Sequence, residues 1–446
     1  MTTQTTPNLP NSLEEHWMPF TANQDYKESP RLMTNASGMY YIDHHGNKLI
    51  DASSGLFCNP AGHNRPEIRE AVSKQLEELD YVQPFQQGFS GSFDLARRIS
   101  KHTPGDLNRI FFTICGSSAV ETAIKTAIAY HKVRGEGHRS HIVGRERAYH
   151  GMNVGGISVG GMISNRKTFS SILMPNVHHM RHTHLPEHNF IKGQPDTGVE
   201  LAEDLERLAM NIGPENIAAC IVEPIAGSTG TLVPPKGYLK RLREICDKYG
   251  ILLIFDEVIT GWGRTGKTFG SHAFDVIPDI LTMAKAMTNG VLPMGAVASK
   301  ENIYETIMKA SPKGTVEFFH GYTYSAIPAS VAAALAMQDI FEKEKLIERA
   351  QDMSPYFLDG LFSLKDIDVI SSIRGYGMMG GIDITMDEKL GKSGYATFKE
   401  LFKAGLSLKA TGDCLIVAPP FISEKKHIDE IIEKLRTGIT NYKKNR

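Results

Sequence analysis

The sequence predicts an α/β protein whose main sheet is largely parallel and doubly wound, with helices on both faces. In the middle of the chain, short runs rich in isoleucine, valine and phenylalanine alternate with helical patterns. The strand-like runs are Arg109–Ile114, His141–Val143, Ala218–Glu223 and Ile251–Asp256, and the helical patterns are Ala119–Val133, Val199–Asn211 and Leu239–Tyr249. Strands and helices that alternate in this way form mainly parallel sheets with both faces buried.

The two ends of the chain have a different pattern from the middle. Pro328–Lys343 is an alanine-rich helix that is long enough to link two domains, and Val369–Ile384 resembles strands joined by tight, glycine-containing turns. We expect a large domain at residues 66–328. A smaller α+β domain would combine an N-terminal segment, residues 1–65, with a C-terminal part, residues 329–446.

Composition excludes several classes of partner. The chain has 446 residues, a net charge of −1 and no long basic block, which argues against nucleic acid or a membrane surface as its main partner. Its apolar runs are too short to span a bilayer, and its first residues show no signal peptide. Five cysteines are scattered without CxxC spacing. This usage predicts reduced thiols and a cytoplasmic protein.

The segment FFTICGSSAVETAIKTA (Phe111–Ala127) joins a strand to a helix. Ser118-x-x-Glu121 fits a capping box, which places the helix start at Ser118. Free backbone amides at that start, beside Gly116 and Ser117, would form a cup for a phosphate group. The alternative is a well-capped helix without a ligand. No P-loop or GxGxxG pattern is present, so nucleotide binding has little support.

Asp256 and Lys285 together suit pyridoxal 5′-phosphate (PLP). Asp256 ends the strand-like ILLIFDE, and Lys285 follows another strand-like run, Asp279–Met283. The cofactor needs a carboxylate to keep its ring nitrogen protonated and an amine to hold its aldehyde. The ordinary alternatives are a carboxylate that caps a turn and a surface lysine. The apolar neighbours of Lys285 favour a buried amine.

Several other motifs carry weaker signals. Tyr149, His150 and Glu223 follow predicted strands, and Thr323 lies on a glycine-bearing loop, so all four could complete a cofactor site. His178–His184 resembles a metal tract, but it lacks regularly spaced carboxylates or cysteines, and we predict no metal site. The absence of GxSxG and HExxH argues against the common serine hydrolases and zinc proteases.

The order of motifs resembles that of the class III (ω-amino acid) aminotransferases of PLP fold type I. The resemblance is strongest to their β-alanine–pyruvate aminotransferase branch. It extends from HWMPFTANQ, at residues 16–24, to Pro420, nearly the whole chain. The motifs in family order are CGSS, AYHG, IVEP, IFDEVITGWGRTG, AKAMTNGVLPMGAV, HGYTYSAIPAS and TGDCLIVAPP.

The resemblance implies a role for each candidate site residue. Lys285 would form the Schiff base with the cofactor, and Asp256 would pair with its ring nitrogen. The other residues implied to bind the cofactor are Gly116, Ser117, Ser118, Tyr149, His150, Glu223, Val258, Tyr322 and Thr323. Thr323 would come from a neighbouring subunit, which implies a homodimer or homotetramer with shared sites. The residues implied to bind substrate are Trp17, Phe57, Phe85, Tyr149 and Lys409.

Three positions depart from the family pattern. Lys409 stands where this branch has an arginine that pairs with a substrate carboxylate; lysine keeps the charge but cannot form the bidentate contact. Phe57 replaces a tryptophan found in many relatives, which predicts a roomier amine pocket. Ser118 replaces a glutamate, and the capping pattern predicts that phosphate binding survives this change.

The implied activity is the transfer of an amino group from an ω-amino acid or amine to a keto acid, with pyruvate as the expected acceptor. It would follow a ping-pong mechanism through Lys285. An aminomutase or a decarboxylating enzyme of the same fold is the alternative. A catalytically silent PLP-fold protein is a third possibility, against which the intact Lys285 and Asp256 argue. The sequence does not fix the amine donor.

Overall fold

The computed structural model describes residues 12–386 and 389–445. Its strands, in chain order, are β1 (Met33–Ser37), β2 (Tyr40–Asp43), β3 (Lys48–Asp51), β4 (Arg109–Thr113), β5 (His141–Arg145), β6 (Val177–Met180), β7 (Ile217–Val222), β8 (Leu252–Asp256), β9 (Ile280–Ala284), β10 (Gly295–Ser299), β11 (Ile370–Tyr376), β12 (Met379–Ile384), β13 (Leu406–Ser407), β14 (Lys409–Thr411) and β15 (Cys414–Val417).

The helices begin with a short turn near the N-terminal strands and end with the longest helix of the chain. They are α1 (Asn23–Glu28), α2 (Ser54–Phe57), α3 (Pro66–Glu78), α4 (Ser90–Ser100), α5 (Gly116–Val133), α6 (Val154–Val159), α7 (Ile163–Thr168), α8 (Glu203–Ile212), α9 (Tyr238–Tyr249), α10 (Gly270–Ala273), α11 (Glu301–Lys309), α12 (Pro328–Lys343), α13 (Leu346–Phe362), α14 (Lys392–Lys403) and α15 (Lys425–Asn445). None of the described helices is long and apolar enough to cross a membrane.

A seven-stranded sheet with the order β4-β10-β9-β8-β7-β5-β6 forms the centre of the molecule. Strands β9, β8, β7, β5 and β6 pair in parallel, whereas β10 is antiparallel to both of its neighbours. Because β10 is antiparallel to both β9 and β4, β4 points in the same direction as the parallel strands. The predicted α/β fold class with a mostly parallel sheet is confirmed.

Both faces of this sheet are buried, as its sequence pattern requires. Side chains of Cys220, Val222, Leu253 and Phe255 pack with α8 and α9 on one face. The alternate residues of the same strands pack with α5 on the other face. Successive side chains of a strand point to opposite faces, so continuous apolar runs are the expected pattern for strands that are covered twice.

Two smaller sheets contain the strands from the ends of the chain, and one of the two combines both ends. One has the order β1-β2-β3-β13, in which β13 from the C-terminal part pairs in parallel with β3. The other has the order β11-β12-β15-β14. Buried Arg264, on a loop after β8, donates to the carbonyl oxygens of Met378 and Pro419 and to Oγ of Ser54, and so ties the central part to both ends. Domain limits at residues 66 and 328 stay a prediction.

The strand directions bring five connections to one edge of the central sheet. The segments that follow β5, β7, β8 and β9, together with the start of α5 after β4, all leave the sheet at the carboxyl ends of these strands. Ligands of open α/β sheets bind at this edge. The fold therefore places the candidate functional segments side by side.

A substitution at Gly144 of β5 would test how tightly this edge of the sheet is packed. A Cβ atom added there would lie 2.1 Å from the carbonyl oxygen of Val159. Gly144→Ala should therefore destabilise the fold by roughly 1–3 kcal/mol through overpacking, seen as a lower thermal unfolding midpoint. Gly137→Ala is the matched control, because a Cβ atom there meets nothing within 4 Å. Equal midpoints for the two variants would contradict this packing.

Candidate active site

A cavity of about 420 Å³ lies at the carboxyl edge of the central sheet. Of the residues that the sequence predicted to bind a cofactor, eight line it: Gly116, Ser117, Tyr149, His150, Glu223, Asp256, Val258 and Lys285. Segments far apart in sequence meet here because each one follows a strand that ends at this edge. Among the described residues, no group of histidine, cysteine, aspartate or glutamate side chains could hold a metal ion.

The first turn of α5 forms one wall of the cavity. The helix begins at Gly116 with Cys115 as its N-cap residue, so the predicted start at Ser118 was wrong. Ser118 is buried in the first turn, where its Oγ accepts from the backbone nitrogens of Ile114 and Cys115. Its side chain therefore does not line the cavity. Gly116 and Ser117 do, at the end of an 18-residue helix whose first amides have no acceptor within the helix.

The Asp256 carboxylate is buried and held from three sides. Nδ1 of His150 lies 2.7 Å from its Oδ2 atom. Its Oδ1 atom accepts from Oγ1 of Thr282, at 3.0 Å, and from the backbone nitrogen of Val258, at 3.2 Å. Nε2 of His150 is buried without a hydrogen-bond partner among the described residues. These contacts fix the position of the carboxylate before any ligand arrives.

Lys285 directly follows β9 in a short 3₁₀ helix, and its backbone has φ 51°. This left-handed conformation is uncommon for a residue with a side chain. The amine forms no hydrogen bond or ion pair with any residue that the structure describes. Burial lowers the pKa of Lys285, against the opposing effect of the nearby Cys58, Asp256 and Glu223. A lowered pKa enriches the neutral, nucleophilic form of the amine.

Glu223 and Tyr149 are linked beside the cavity. Oε1 of Glu223 accepts from the backbone nitrogen of Tyr149, at 2.9 Å, and Oε2 accepts from that of Gly227, at 3.1 Å. Burial raises the pKa of the Glu223 carboxyl, and the charge of Asp256 adds to the effect. Burial likewise raises the pKa of the Tyr149 hydroxyl. Glu223 therefore fixes the loop that presents Tyr149 and His150.

Two predicted substrate residues lie close to the lysine. The ring centroid of Phe57 is 5.3 Å from Nζ of Lys285, and the Phe57 side chain is only 2% exposed. Lys409 begins β14, and its Nζ atom lies 3.5 Å from the carbonyl oxygen of Ser228. Burial, reinforced by the charge of Lys285, lowers the pKa of Lys409 to about 8. The amines of Lys409 and Lys285 are therefore close enough to repel each other.

Four predicted residues lie away from the cavity within one chain. Trp17 is 88% exposed and Phe85 is 51% exposed, and each lines a different surface depression. The hydroxyl of Tyr322 contacts the backbone of Ser118 on the outside of α5, and Thr323 is exposed. Their roles at the site stay predictions that require a second subunit.

The structure also reveals site residues that the sequence did not single out. Thr282 lies in β9, and only the pairing of β8 with β9 brings its hydroxyl to Asp256. Cys58 and Cys115 also line the cavity, although the sequence assigned neither of them a role there. The position of Thr282 on the strand that directly precedes Lys285 was the one available signal.

The residues at this edge fit PLP. The amide cup at the start of α5 suits a phosphate group, and the fixed, buried Asp256 carboxylate suits a protonated ring nitrogen. The half-buried Lys285 amine, whose pKa is lowered, suits an aldehyde. Neither a metal ion nor a nucleotide phosphate chain would use this combination. The site thus defines a PLP-dependent enzyme.

Comparison with known proteins gives the family. The family model described as aminotransferase class-III matches residues 21–439. An omega-aminotransferase of Caulobacter vibrioides is 47% identical over 428 residues, which cover 96% of this chain and 97% of that protein. An omega-amino acid–pyruvate aminotransferase of Pseudomonas putida is 44% identical and covers 94% of both chains. The chain belongs to the class III aminotransferases, and the predicted family, enzyme class and cofactor are confirmed.

Solved structures give the same answer. An (S)-enantioselective omega-transaminase from Thermomicrobium roseum superposes with a TM-score of 0.89 at 32% identity over 96% of each chain. The omega-transaminase of Pseudomonas jessenii, solved in complex with PMP, gives a TM-score of 0.91 at 28% identity over 97% of this chain and 98% of that chain. The predicted fold type I is thereby confirmed.

Thr282→Val tests whether the Asp256 carboxylate must be fixed. The variant keeps the shape of the side chain but removes the donor to Oδ1 of Asp256. We expect PLP to bind the apoprotein roughly tenfold more weakly, measured by absorbance titration. Thr126→Val is the control, because Thr126 is a buried threonine that donates only to the carbonyl of Thr122 within α5. Equal affinity for the Thr282→Val variant and the wild type would contradict the role of this hydrogen bond.

Proposed function

We propose that this enzyme transfers the amino group of an ω-amino acid or related amine to pyruvate. The half-buried amine of Lys285, which lines the same cavity as the fixed Asp256 carboxylate, is the observation that supports amine chemistry. The choice of substrates rests on relatives named omega-amino acid–pyruvate and beta-alanine–pyruvate aminotransferases, each 44% identical to this chain. Pyruvate is the acceptor in both names.

Different residues at the sheet edge would bind different parts of the cofactor. The amides of Gly116 and Ser117 would bind its phosphate, Asp256 would keep its ring nitrogen protonated, and Tyr149 and Val258 would contact its ring. Glu223 acts through the backbone of Tyr149, and His150 acts through Asp256. When bound, PLP supplies the aldehyde that takes up the amino group and the ring that delocalises the electrons of the broken C–H bond.

Lys285 carries the proton. Its amine is half-buried and has no ion-pair partner among the described residues. Desolvation lowers its pKa, which enriches the neutral form that can act as a base. Lys285 would remove the proton from the carbon that bears the substrate amine and would deliver it to the carbon that was the cofactor's aldehyde. The Phe57 ring beside Nζ excludes water from this path.

Lys409 is the residue proposed to bind the acceptor carboxylate. Its half-buried amine lies near that of Lys285, and its charge also interacts with Glu223. Because the Lys409 amine has no carboxylate partner among the described residues, an anionic ligand that pairs with it would lower its free energy most. A keto acid would supply that anion, whereas a simple amine donor would not.

The active unit is proposed to be a homodimer or homotetramer in the cytoplasm. Large apolar side chains are exposed in the segments that we expect to contact a second subunit. They include Trp17, Phe85, Phe319 and Tyr324. Exposed apolar groups of this size favour burial against a second copy. The cytoplasmic location rests on the scattered cysteines, none of which forms a disulfide among the described residues.

The reaction class is tested by its dependence on an acceptor. With β-alanine alone, the PLP-loaded enzyme should release one aldehyde product per site and stop; pyruvate should restore turnover and yield alanine. Lys285→Ala should lower the rate by at least about a hundredfold, whereas Lys192→Ala, at an exposed lysine paired with Asp359, should not. Sustained turnover without a keto acid would indicate an aminomutase or decarboxylating enzyme instead.

The role of Lys409 is tested by pH. Its folded pKa of about 8 is lowered from the usual value, so the amine is charged below about pH 8 and loses its charge as the pH rises through that value. We therefore expect kcat/KM for pyruvate to fall above pH 8, with a smaller change for a neutral aldehyde acceptor. Lys409→Arg should remove this fall and lower the KM for pyruvate roughly tenfold, because arginine stays charged and binds carboxylates through two donors. The same pH profile for both acceptors would show that Lys409 does not face the carboxylate.

A further inference from the structure

Two segments next to the cavity are joined by asparagine side chains. The pocket loop, residues 53–63, carries Phe57 and Cys58; the lysine turn, residues 285–290, carries Lys285. The Phe57 ring lies 5.3 Å from Nζ of Lys285, and Cys58 lines the same cavity as the amine. The distance between the pocket loop and the lysine turn therefore determines how much space is free beside Lys285.

Asn289 bridges this separation. Its Oδ1 atom accepts from the backbone nitrogen of Ala61, at 3.0 Å, and its Nδ2 atom donates to the carbonyl oxygen of Gly62, at 2.8 Å. In return, Nδ2 of Asn59 donates to the carbonyl oxygen of Asn289, at 2.6 Å. The side chain of Asn289 is only 1% exposed, so water does not compete for these bonds.

The pocket loop needs such external bonds, because its own backbone is strained. Ser54 and Phe57 have φ angles of 48° and 62°, in the left-handed region that side chains rarely adopt. On the side away from the lysine, the carboxylate of Asp51 accepts from the backbone nitrogens of Ser53 and Gly55. On the side of the lysine, the asparagine bonds hold the loop.

The lysine turn is shaped to receive the loop. Asn289 has φ 51°, a conformation that asparagine tolerates better than most residues. Gly290 follows with φ 68°, and a Cβ atom there would lie 2.9 Å from Cβ of Cys58. The two segments are thus packed too closely for a side chain at position 290.

We propose that Asn289 is a positioning residue that holds the pocket loop against the lysine turn and thereby limits the size of the amine donor. This inference rests on the proposed aminotransferase function, since it assigns Phe57 to the space that the donor occupies. Without the Asn289 side chain, the strained loop can relax and Phe57 can move away from Lys285. Larger donors then gain over small ones, while Lys285 and Asp256 keep their own contacts.

The test compares a small and a bulky donor with pyruvate as acceptor. For Asn289→Ala, the ratio of kcat/KM for 1-phenylethylamine to that for β-alanine should rise at least about tenfold, mainly through KM, because two buried hydrogen bonds are lost. Asn176→Ala is the matched control: Asn176 also has a left-handed backbone, with φ 58°, but lies before β6. In the control, the ratio should stay within about twofold.

A second measurement does not need activity. In the apoprotein, the rate of Cys58 alkylation by iodoacetamide, followed by peptide mass spectrometry, reports the position of the pocket loop. It should rise at least about tenfold in Asn289→Ala and by a smaller factor in Asn59→Ala, which removes one bond only. If Asn289→Ala fails to fold, Asn59→Ala decides the question by both measurements.

Unchanged donor ratios together with unchanged Cys58 alkylation in these variants would overturn the inference. Faster alkylation with an unchanged donor ratio would also overturn it, because the tether would then be structural only. If the wild-type enzyme transfers no amino group at all, the proposed function fails, while the alkylation rates still show whether Asn289 holds the loop.

Discussion

The buried carboxylate of Asp256 is the constraint on which the rest of the site depends. A charge in the protein interior is tolerated only where fixed donors surround it. His150, Thr282 and the backbone of Val258 supply these contacts from three separate segments. Each segment reaches the carboxylate because its strand ends at the same edge of the central sheet. The mostly parallel topology therefore brings together both the carboxylate and the contacts that fix it.

Two half-buried amines, those of Lys285 and Lys409, determine the charge at the site. Burial lowers the pKa of both Lys285 and Lys409, and neither amine has a carboxylate partner among the described residues. Such groups lower the stability of the free protein, and anionic ligands relieve this cost. A phosphate-bearing cofactor and a keto acid are anions of this kind. The two amines thus lower the stability of the free protein but favour binding of the proposed ligands. Active sites commonly trade stability for function in this way.

The sequence predicted five of the seven central strands, the helix Pro328–Lys343 and eight of the cavity residues. These features depend on local pattern and on the rule that ligands bind at strand ends. It placed the start of α5 wrongly, because Ser118 turns back to the backbone of the preceding residues. Thr282 and Asn289 were missed, since their contacts exist only after distant segments pack together. Trp17, Phe85 and Thr323 lie away from the cavity within one chain, and their roles at the site stay predictions.

We propose that Lys285, and not the nearby half-buried Lys409, holds the cofactor. Borohydride reduction of the PLP-loaded enzyme, followed by peptide mass spectrometry, tests this most directly, because reduction makes the bond between lysine and cofactor permanent. We expect a phosphopyridoxyl group on the peptide that contains Lys285, at about one per chain. A label on Lys409, or on no single lysine, would contradict it.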